Sequence, residues 1–278
     1  DETQFYADIW DSISPFIKIG AMEDEKFAEQ VKEIILYSTT KNTSADNDDT
    51  NELINSGSKT FTTLDGYKNR QTDENKKVLY STDEVSQSTA LNMWTSQGKE
   101  VLKLDTVIDT QFIPWLEEKN KEINFVRVDS ELDESIKDDS PEIADKDGNT
   151  KSETLKKMIS SALNNEKVTV QVQSLKGENS PPSLILLPEQ MRRINDITAL
   201  MEQKLPGLPE YHNLIVNSNH PLIQGLLKLN SNPIVIEGSS KSEEGQLAID
   251  ISVHVYEMAK LSIGGLENKD LATFQIRN

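Results

Sequence analysis

The residues able to do chemistry are few, and their spacing argues against most reactions. Phosphate-binding turns carry glycine directly after a strand, so that backbone N–H groups can approach phosphate oxygens. Two strand-to-helix turns read DEVSQST after Thr82 and TVIDTQF after Asp105, and neither holds a glycine. Gly238 and Gly245 bracket GSSKSEEG, but no Gly-Lys-Ser follows a strand there. The three histidines, His212, His220 and His254, form no H-E-x-x-H helix, the arrangement that would hold zinc. His220, just before Pro221, reads as a backbone cap at a helix start, and His254 as a hydrogen-bonded residue of an interface. There is no G-x-S-x-G nucleophile elbow. Cysteine is absent, which excludes disulfides, thiolate zinc sites and thiol nucleophiles. Acid pairs are abundant, but among 47 acidic residues they say little about glycosidase chemistry. The expectation is a chain with no catalytic, cofactor-binding or metal-ligating residue.

What remains is apolar surface. The helix 189–204 carries Met191, Ile194, Ile197, Leu200 and Met201 against Arg192, Arg193, Asp196 and Glu202. Such a stripe serves either as core or as a methionine-bearing surface that repacks around varied partners. Phe112, Ile113 and Trp115 crowd one short helix, with the same two readings. Helix 243–262 lines Leu247, Ile251, Val255, Met258 and Leu261 along one face, and Ala248, Ile249, Val253 and Tyr256 are apolar as well. A helix this apolar needs cover on more than one side, and little chain remains to supply it. Self-association follows, through this helix and the next, 267–277, with Leu271 and Phe274.

The elements that position these residues alternate. Residues 1–40 read as two helices broken around Pro15 and Gly20, with Phe27, Val31, Ile34 and Ile35 at helical spacing in the second. Residues 41–59 have no apolar period and read as a mobile loop, and 63–70 as a short helix. KKVLYST, EVLKLD and EINFVRV are strands separated by the helices DEVSQSTALNMWTSQ and IDTQFIPWLEEKN. This βαβαβ order predicts a small parallel sheet with right-handed crossovers. Residues 129–150 are acidic with almost nothing to bury, as in a flexible linker. Beyond it lie a helix on Leu155, Met158, Ile159 and Leu163, a predicted hairpin of VTVQVQSL and SLILLP, the strand HNLIVN and a helix over about 220–229.

The 278 residues carry 29 basic and 47 acidic side chains, a net charge of -18. That balance repels nucleic acid and anionic lipid. No apolar run approaches the roughly 18 residues a bilayer span needs. DETQFYADIW has neither the basic nor the apolar region of a secretory signal, and it lacks an initial methionine, so it reads as an internal start. A reducing cytoplasm is the compartment expected.

Several stretches together resemble the ninety-kilodalton heat-shock chaperone family, in its bacterial HtpG branch. FIKIGAMED followed by FAEQVKEIILYSTT is similar to a middle-domain stretch ending in Leu-Leu-x-Phe-x-Ser-Thr. TLDGYKNR resembles T-L-x-x-Y-x-x-R, KKVLYSTD a lysine-led strand, and GKEVLKLDTVID the pattern G-x-E-V-L-x-x-x-x-x-I-D. SLKGENSPPSLIL resembles S-x-R-L-x-x-S-P, and LIVNSNHPLIQGLL resembles L-x-x-N-P-x-H-P-L-I. The matches run in family order from about Pro15 to Leu229, with a weaker one at LENKDLATFQIR. Ser218 replaces a proline, Leu175–Lys176 replaces Arg-Leu, and Pro114 interrupts the helix after Ile-Asp, so the chain departs from the pattern in places.

The resemblance implies residues 1–130 as later subdomains of the middle domain, 131–150 as an acidic linker and 151–278 as a C-terminal dimerisation domain. In fold class it implies α/β and α+β: a Rossmann-like βαβαβ subdomain, then an α+β domain ending in a helical dimerisation bundle. Client contacts would come from Met191, Ile194 and Met201 and from Phe112, Ile113 and Trp115. Dimer contacts would come from Leu247, Ile251, Val255, Met258, Leu261, Leu271 and Phe274. The family's ATP site and its γ-phosphate arginine would lie upstream of Asp1. The chain would then be a non-enzymatic part of an ATP- and magnesium-dependent parent, acting as a homodimer on non-native proteins. The competing readings are a nucleotide- or phosphate-using α/β enzyme domain fused to a dimer module, and a purely structural dimerisation protein.

Overall fold

The computed structural model describes residues 2–41, 53–71, 77–130, 132, 137–138, 150–177, 180–187, 211–230, 243–263 and 268–277. Among these, 1–87 and 94–128 cluster into one compact unit, and 88–93 with the described residues from 129 onward into a second.

The first unit opens with α1 (Glu2–Glu23) and α2 (Glu25–Val31). Contrary to expectation, α1 runs straight through Pro15 and Gly20, and the break falls at Asp24. Proline removes one i→i−4 bond and costs about 3 kcal/mol. Here the buried face of Ala7, Trp10, Ser14, Lys18 and Ala21 holds the helix together on both sides of it. Asp24 adopts an extended backbone and its carboxylate accepts from the amides of Lys26 and Phe27 at 2.8 and 3.2 Å, a cap that starts α2. Gly20 serves the packing of this corner, since a Cβ there would lie 2.8 Å from the Phe27 ring. The second helix ends at Val31, so Ile34 and Ile35 fall beyond it: Ile35 enters the core and Ile34 stays exposed.

Strands β1 (Tyr37–Thr39), β2 (Leu53–Ser56) and β3 (Lys59–Thr62) follow, then α3 (Leu64–Arg70), capped by the Thr63 hydroxyl on the Gly66 amide. The part of the expected loop 41–59 that is described forms the β2–β3 hairpin, closed by Gly57 at φ +60 and Ser58. Positive φ at the first turn position is what a tight hairpin requires; residues 42–52 lie outside the described set. The alternating part comprises β4 (Lys77–Ser81), α4 (Ser88–Ser96), β5 (Leu102–Lys103), α5 (Asp109–Lys119) and β6 (Asn124–Arg127). As expected, β4 pairs parallel with both β5 and β6. The sheet is larger than expected, because antiparallel β1 extends it to a mixed six-stranded array, β2-β3-β1-β5-β4-β6. The three-residue β1 is too short to show a period. Pro114 sits inside α5 without breaking it. Phe112, Ile113 and Leu116 anchor that helix in a core shared with Trp10, Tyr67, Tyr80 and Phe125.

Beyond Asp129, the regular structure of the second unit begins with α6 (Lys151–Leu163). A reciprocal capping box of Thr150 and Glu153 starts this helix, and Asn164 ends it in the left-handed conformation. Strands β7 (Val168–Gln173), β8 (Ser183–Leu186) and β9 (His212–Asn217) form a sheet in the order β7-β9-β8. The expected β7–β8 hairpin is therefore absent: β9 lies between them, parallel to β7 and antiparallel to β8. Burial alone does not set this order, since Leu184, Ile185 and Leu186 of the edge strand β8 are as enclosed as Leu214, Ile215 and Val216 of β9. The hairpin is excluded because β9 takes the facing backbone edges of both β7 and β8. Helices α7 (Pro221–Asn230), α8 (Glu243–Ser262) and α9 (Asn268–Arg277) complete the unit, with α6 against β7, α8 against α6, β8 and α7, and α9 against α8. No helix among the described residues is long and apolar enough to cross a membrane.

Candidate functional site

The turns where an α/β protein would bind phosphate are filled by the chain's own side chains. After β4, the Gln87 carboxamide oxygen accepts from the Ser81 hydroxyl at 2.8 Å and from the amides of Thr82 and Asp83 at 3.0 and 3.5 Å. The Asp83 carboxylate takes the Val85 amide at 3.0 Å. After β5, Asp109 Oδ2 accepts from the Thr106 amide at 3.0 Å and its hydroxyl at 2.6 Å. The amides of Thr82, Asp83, Val85 and Thr106 thus already have acceptors within the chain.

Motif residues meet instead as buried structural ties. Lys18, from FIKIGAMED, donates to Asp109, from LDTVID, at 2.5 Å, and the two side chains are 5% and 1% exposed. The ammonium also lies 5.6 Å from the centre of the Phe112 ring. Arg70, from TLDGYKNR, forks onto both oxygens of Glu100, from GKEVL, at 3.0 and 2.8 Å, and reaches the Thr62 hydroxyl at 2.8 Å. Thr39 donates to the same carboxylate at 2.7 Å, and the Tyr67 hydroxyl donates to the Glu100 carbonyl at 3.1 Å. In the second unit, Asn217 joins SLKGENSPP to LIVNSNHP: its side chain accepts from the Leu175 amide at 3.1 Å and donates to the Pro181 carbonyl at 3.2 Å. These residues hold strands and helices in place.

The cavity beside Lys18 and Asp109 has a volume of about 50 Å³ and is also lined by Trp10, Ser14 and Tyr37. That is room for water rather than a substrate. Burial, reinforced by the charges of Asp109 and Asp65, pushes the Tyr37 phenol well above its ordinary 10.0. A raised folded-state value contributes stability that is fully present below pH ~10 and is lost as pH climbs beyond it, because the unfolded chain ionises first. Tyr37→Phe should therefore flatten the loss of stability between about pH 10 and 11.5, read from urea midpoints. An unchanged alkaline slope would mean that the phenol is solvated.

The histidines serve structure. His220 Nδ1 accepts from the Leu222 amide at 3.2 Å, the expected cap. His212 stacks on Tyr256 with ring centres 5.7 Å apart, and its Nε2 lies 3.1 Å from the tyrosine oxygen. His254 stacks on Phe274 of α9 at 5.2 Å, tying the last two helices together.

The apolar candidates divide by burial. Phe112 and Ile113 are enclosed in the first core and offer no surface to a partner in this conformation, while Trp115 is half-buried and stacks on Phe112 at 5.2 Å. The core-packing reading therefore holds for Phe112 and Ile113, whose side chains are needed where α5 meets the sheet. Met191, Ile194 and Met201 lie outside the described residues. On α8, Val255 faces inward with Ala248 and Ala259 and belongs to the core, so it cannot reach a second chain. Leu247, Met258 and Leu261 project outward, and Ile251 lies half-buried at the edge of the core. Leu271 and Phe274 of α9 are half-buried. Sequence reasoning missed a further exposed set on α1, Phe5, Phe16 and Ile19. Their spacing repeats along one helical face, but a break assumed at Pro15 hides it.

The two units define a mixed α/β protein whose motif residues are structural ties and whose helices leave apolar side chains in solvent. A family model described as Hsp90 protein matches residues 1–277. The chain belongs to the Hsp90 family of heat-shock chaperones. It is 30% identical over 231 residues to the chaperone protein HtpG of Porphyromonas gingivalis, covering 78% of this chain and 31% of that protein. Against HtpG of Bacteroides thetaiotaomicron the identity is 28% over 244 residues, covering 82% and 32%. These relatives put it in the bacterial HtpG branch, and it spans about a third of their length. A solved middle domain of a putative heat shock protein from Plasmodium falciparum aligns with 44% of this chain and 47% of its own, at 21% identity and a TM-score of 0.33.

Proposed function

We propose that this chain is the client-handling and dimer-forming portion of a bacterial Hsp90-type chaperone, working in the cytoplasm. Residues 1–130 contribute client contacts, 131–150 act as an acidic linker, and 151–278 dimerise through α8 and α9 in a helical bundle. The observation that carries the reading is α8 itself. Its inner face fills the core through Ala248, Val255 and Ala259, while Leu247, Met258 and Leu261 remain 49%, 39% and 39% exposed. An outward apolar row on a helix already anchored by its other face is what a partner helix requires.

Non-native proteins are held without nucleotide by this portion alone, and ATP with magnesium belongs to the longer protein. Support comes from the engaged amides after β4 and β5. The phosphate-using enzyme reading gains nothing from those turns. The client surface centres on Met191, Ile194 and Met201, with the half-buried Trp115 as the contribution from α5. Met191→Ser should weaken suppression of client aggregation several-fold while leaving melting temperature and dimer mass unchanged. A stability loss of about 2–5 kcal/mol would instead make Met191 a core residue.

A further inference from the structure

We propose that the outward face of α1 is a docking strip for apolar client segments flanked by lysine or arginine, an inference that rests on the chaperone reading above. Opposite the buried row of Trp10, Ser14, Lys18 and Ala21, the helix turns Phe5, Phe16 and Ile19 to solvent, and the two phenylalanines are 65% and 75% exposed. Positions 5, 9, 12, 16 and 19 share one face at 3.6 residues per turn. The partly buried Ile9 continues the row from Phe5, and the exposed Ser12 is its one polar interruption before Phe16. From Phe5 to Ile19 the row is about 21 Å long at 1.5 Å per residue, enough for three or four turns of a partner helix. The inner face is fixed by the core, so this exposure does not come from a loosely placed helix.

Charge selects the occupant. Glu2, Asp8 and Glu23 border the strip and are exposed. Asp8 is held by the Ser56 hydroxyl at 2.6 Å and the Gln4 carboxamide at 3.0 Å, bonds that keep its carboxyl below the usual range and so ionised. The only basic residue on α1 is Lys18, and it is buried against Asp109. A second copy is a poor occupant, since antiparallel self-pairing would set Glu2 against Glu23 and bring no cation to either. Acidic borders also repel an anionic lipid surface. An apolar segment with cationic flanks satisfies both features at once. Non-native chains regularly expose such segments, because basic residues flank apolar runs as gatekeepers against aggregation.

The test uses two fluorescein-labelled 15-residue peptides with the same leucines at helical spacing, one with two lysines at each end and the other with two glutamates. Titrated into the 278-residue chain, the lysine peptide should bind at least ten-fold more tightly, and raised salt should narrow the gap. Phe5→Ser with Phe16→Ser should cut its affinity at least five-fold with melting temperature unchanged. Glu2→Lys with Glu23→Lys should reduce or reverse the preference, which keeps the test valid if the serine variant folds poorly. Equal binding of the two peptides, or indifference to both variants, overturns the strip. A mass increase in the wild type that Phe16→Ser abolishes would make the occupant a second copy and overturn it too. So would loss of binding when the chain is carried in a protein of its relatives' length, where another segment would cover α1. Aggregation assays separate this inference from its basis. If the wild type fails to protect any client, the chaperone reading fails. If it protects and the serine variant protects equally, only the strip fails.

Discussion

Asp109→Ala is expected to destabilise the first unit by about 3–5 kcal/mol, the range for breaking a buried ion pair from one side. The substitution leaves the Lys18 ammonium, 5% exposed, with no counterion at 2.5 Å. The Phe112 ring 5.6 Å away compensates little of that. It also strips the Thr106 amide and hydroxyl of their shared acceptor. The pair need not be net stabilising for this to hold, because desolvating both charges costs several kcal/mol. The double replacement Lys18→Met with Asp109→Leu should therefore recover most of the loss, to within about 1–2 kcal/mol of the wild type. Asp11→Ala is the contrast: its pair with Lys59 is equally short, but the side chains are 63% and 47% exposed, and the expected change is below about 1 kcal/mol. Trp10, Trp94 and Trp115 are the chain's three tryptophans and all lie in this unit, so urea unfolding read by their fluorescence reports on it directly. An unchanged midpoint for Asp109→Ala would mean that the pair sits in water.

Met258→Asp is expected to raise the dimer dissociation constant about a hundred- to several-thousand-fold. A carboxylate forced into an apolar interface without a partner costs about 3–5 kcal/mol, and each 1.4 kcal/mol is a factor of ten. Within one chain Met258 is 39% exposed, so the substitution should shift the melting of the isolated unit by no more than about 0.5 kcal/mol. Leu261→Asp should behave alike, while Val255→Asp should unfold the unit because Val255 is fully enclosed. This difference between two positions three residues apart distinguishes interface from core. Light scattering across a dilution series reads it. A wild-type chain that stays monomeric at tens of micromolar, or a Met258→Asp chain that associates normally, would remove α8 from the interface.

Much of this architecture was legible in the residues because local signals agreed with global packing. The βαβαβ order, the capped helix on Leu155 and Ile159 and the long apolar helix at 243–262 all stand where periodicity puts them. The misreadings share one cause, which is that tertiary packing overrides local chemistry. Pro15 looks like a break, yet Trp10, Ser14 and Lys18 bury the helix on either side of it. GENSPP looks like a hairpin turn, yet β9, distant in sequence, takes the central place that would otherwise pair β7 with β8. Gly57 marked a hairpin inside a stretch read as loop. For the site, composition shows which side chains are apolar but not which way they face. Phe112 and Val255 fit the same patterns as the half-buried Trp115 and the exposed Met258, and only the fold separates them. Likewise, Lys18 and Asp109 lie 91 residues apart, and nothing in either motif announces the other.

If this chain holds non-native proteins by its apolar surfaces without nucleotide, it should keep a denaturing protein in solution by itself. The readout is the turbidity of a heat-denatured test client with the chain added at equimolar dimer. Turbidity should fall by at least half, and ATP with magnesium should change the curve no further. Turbidity unaffected by the chain, or protection that appears only when ATP is added, would contradict it.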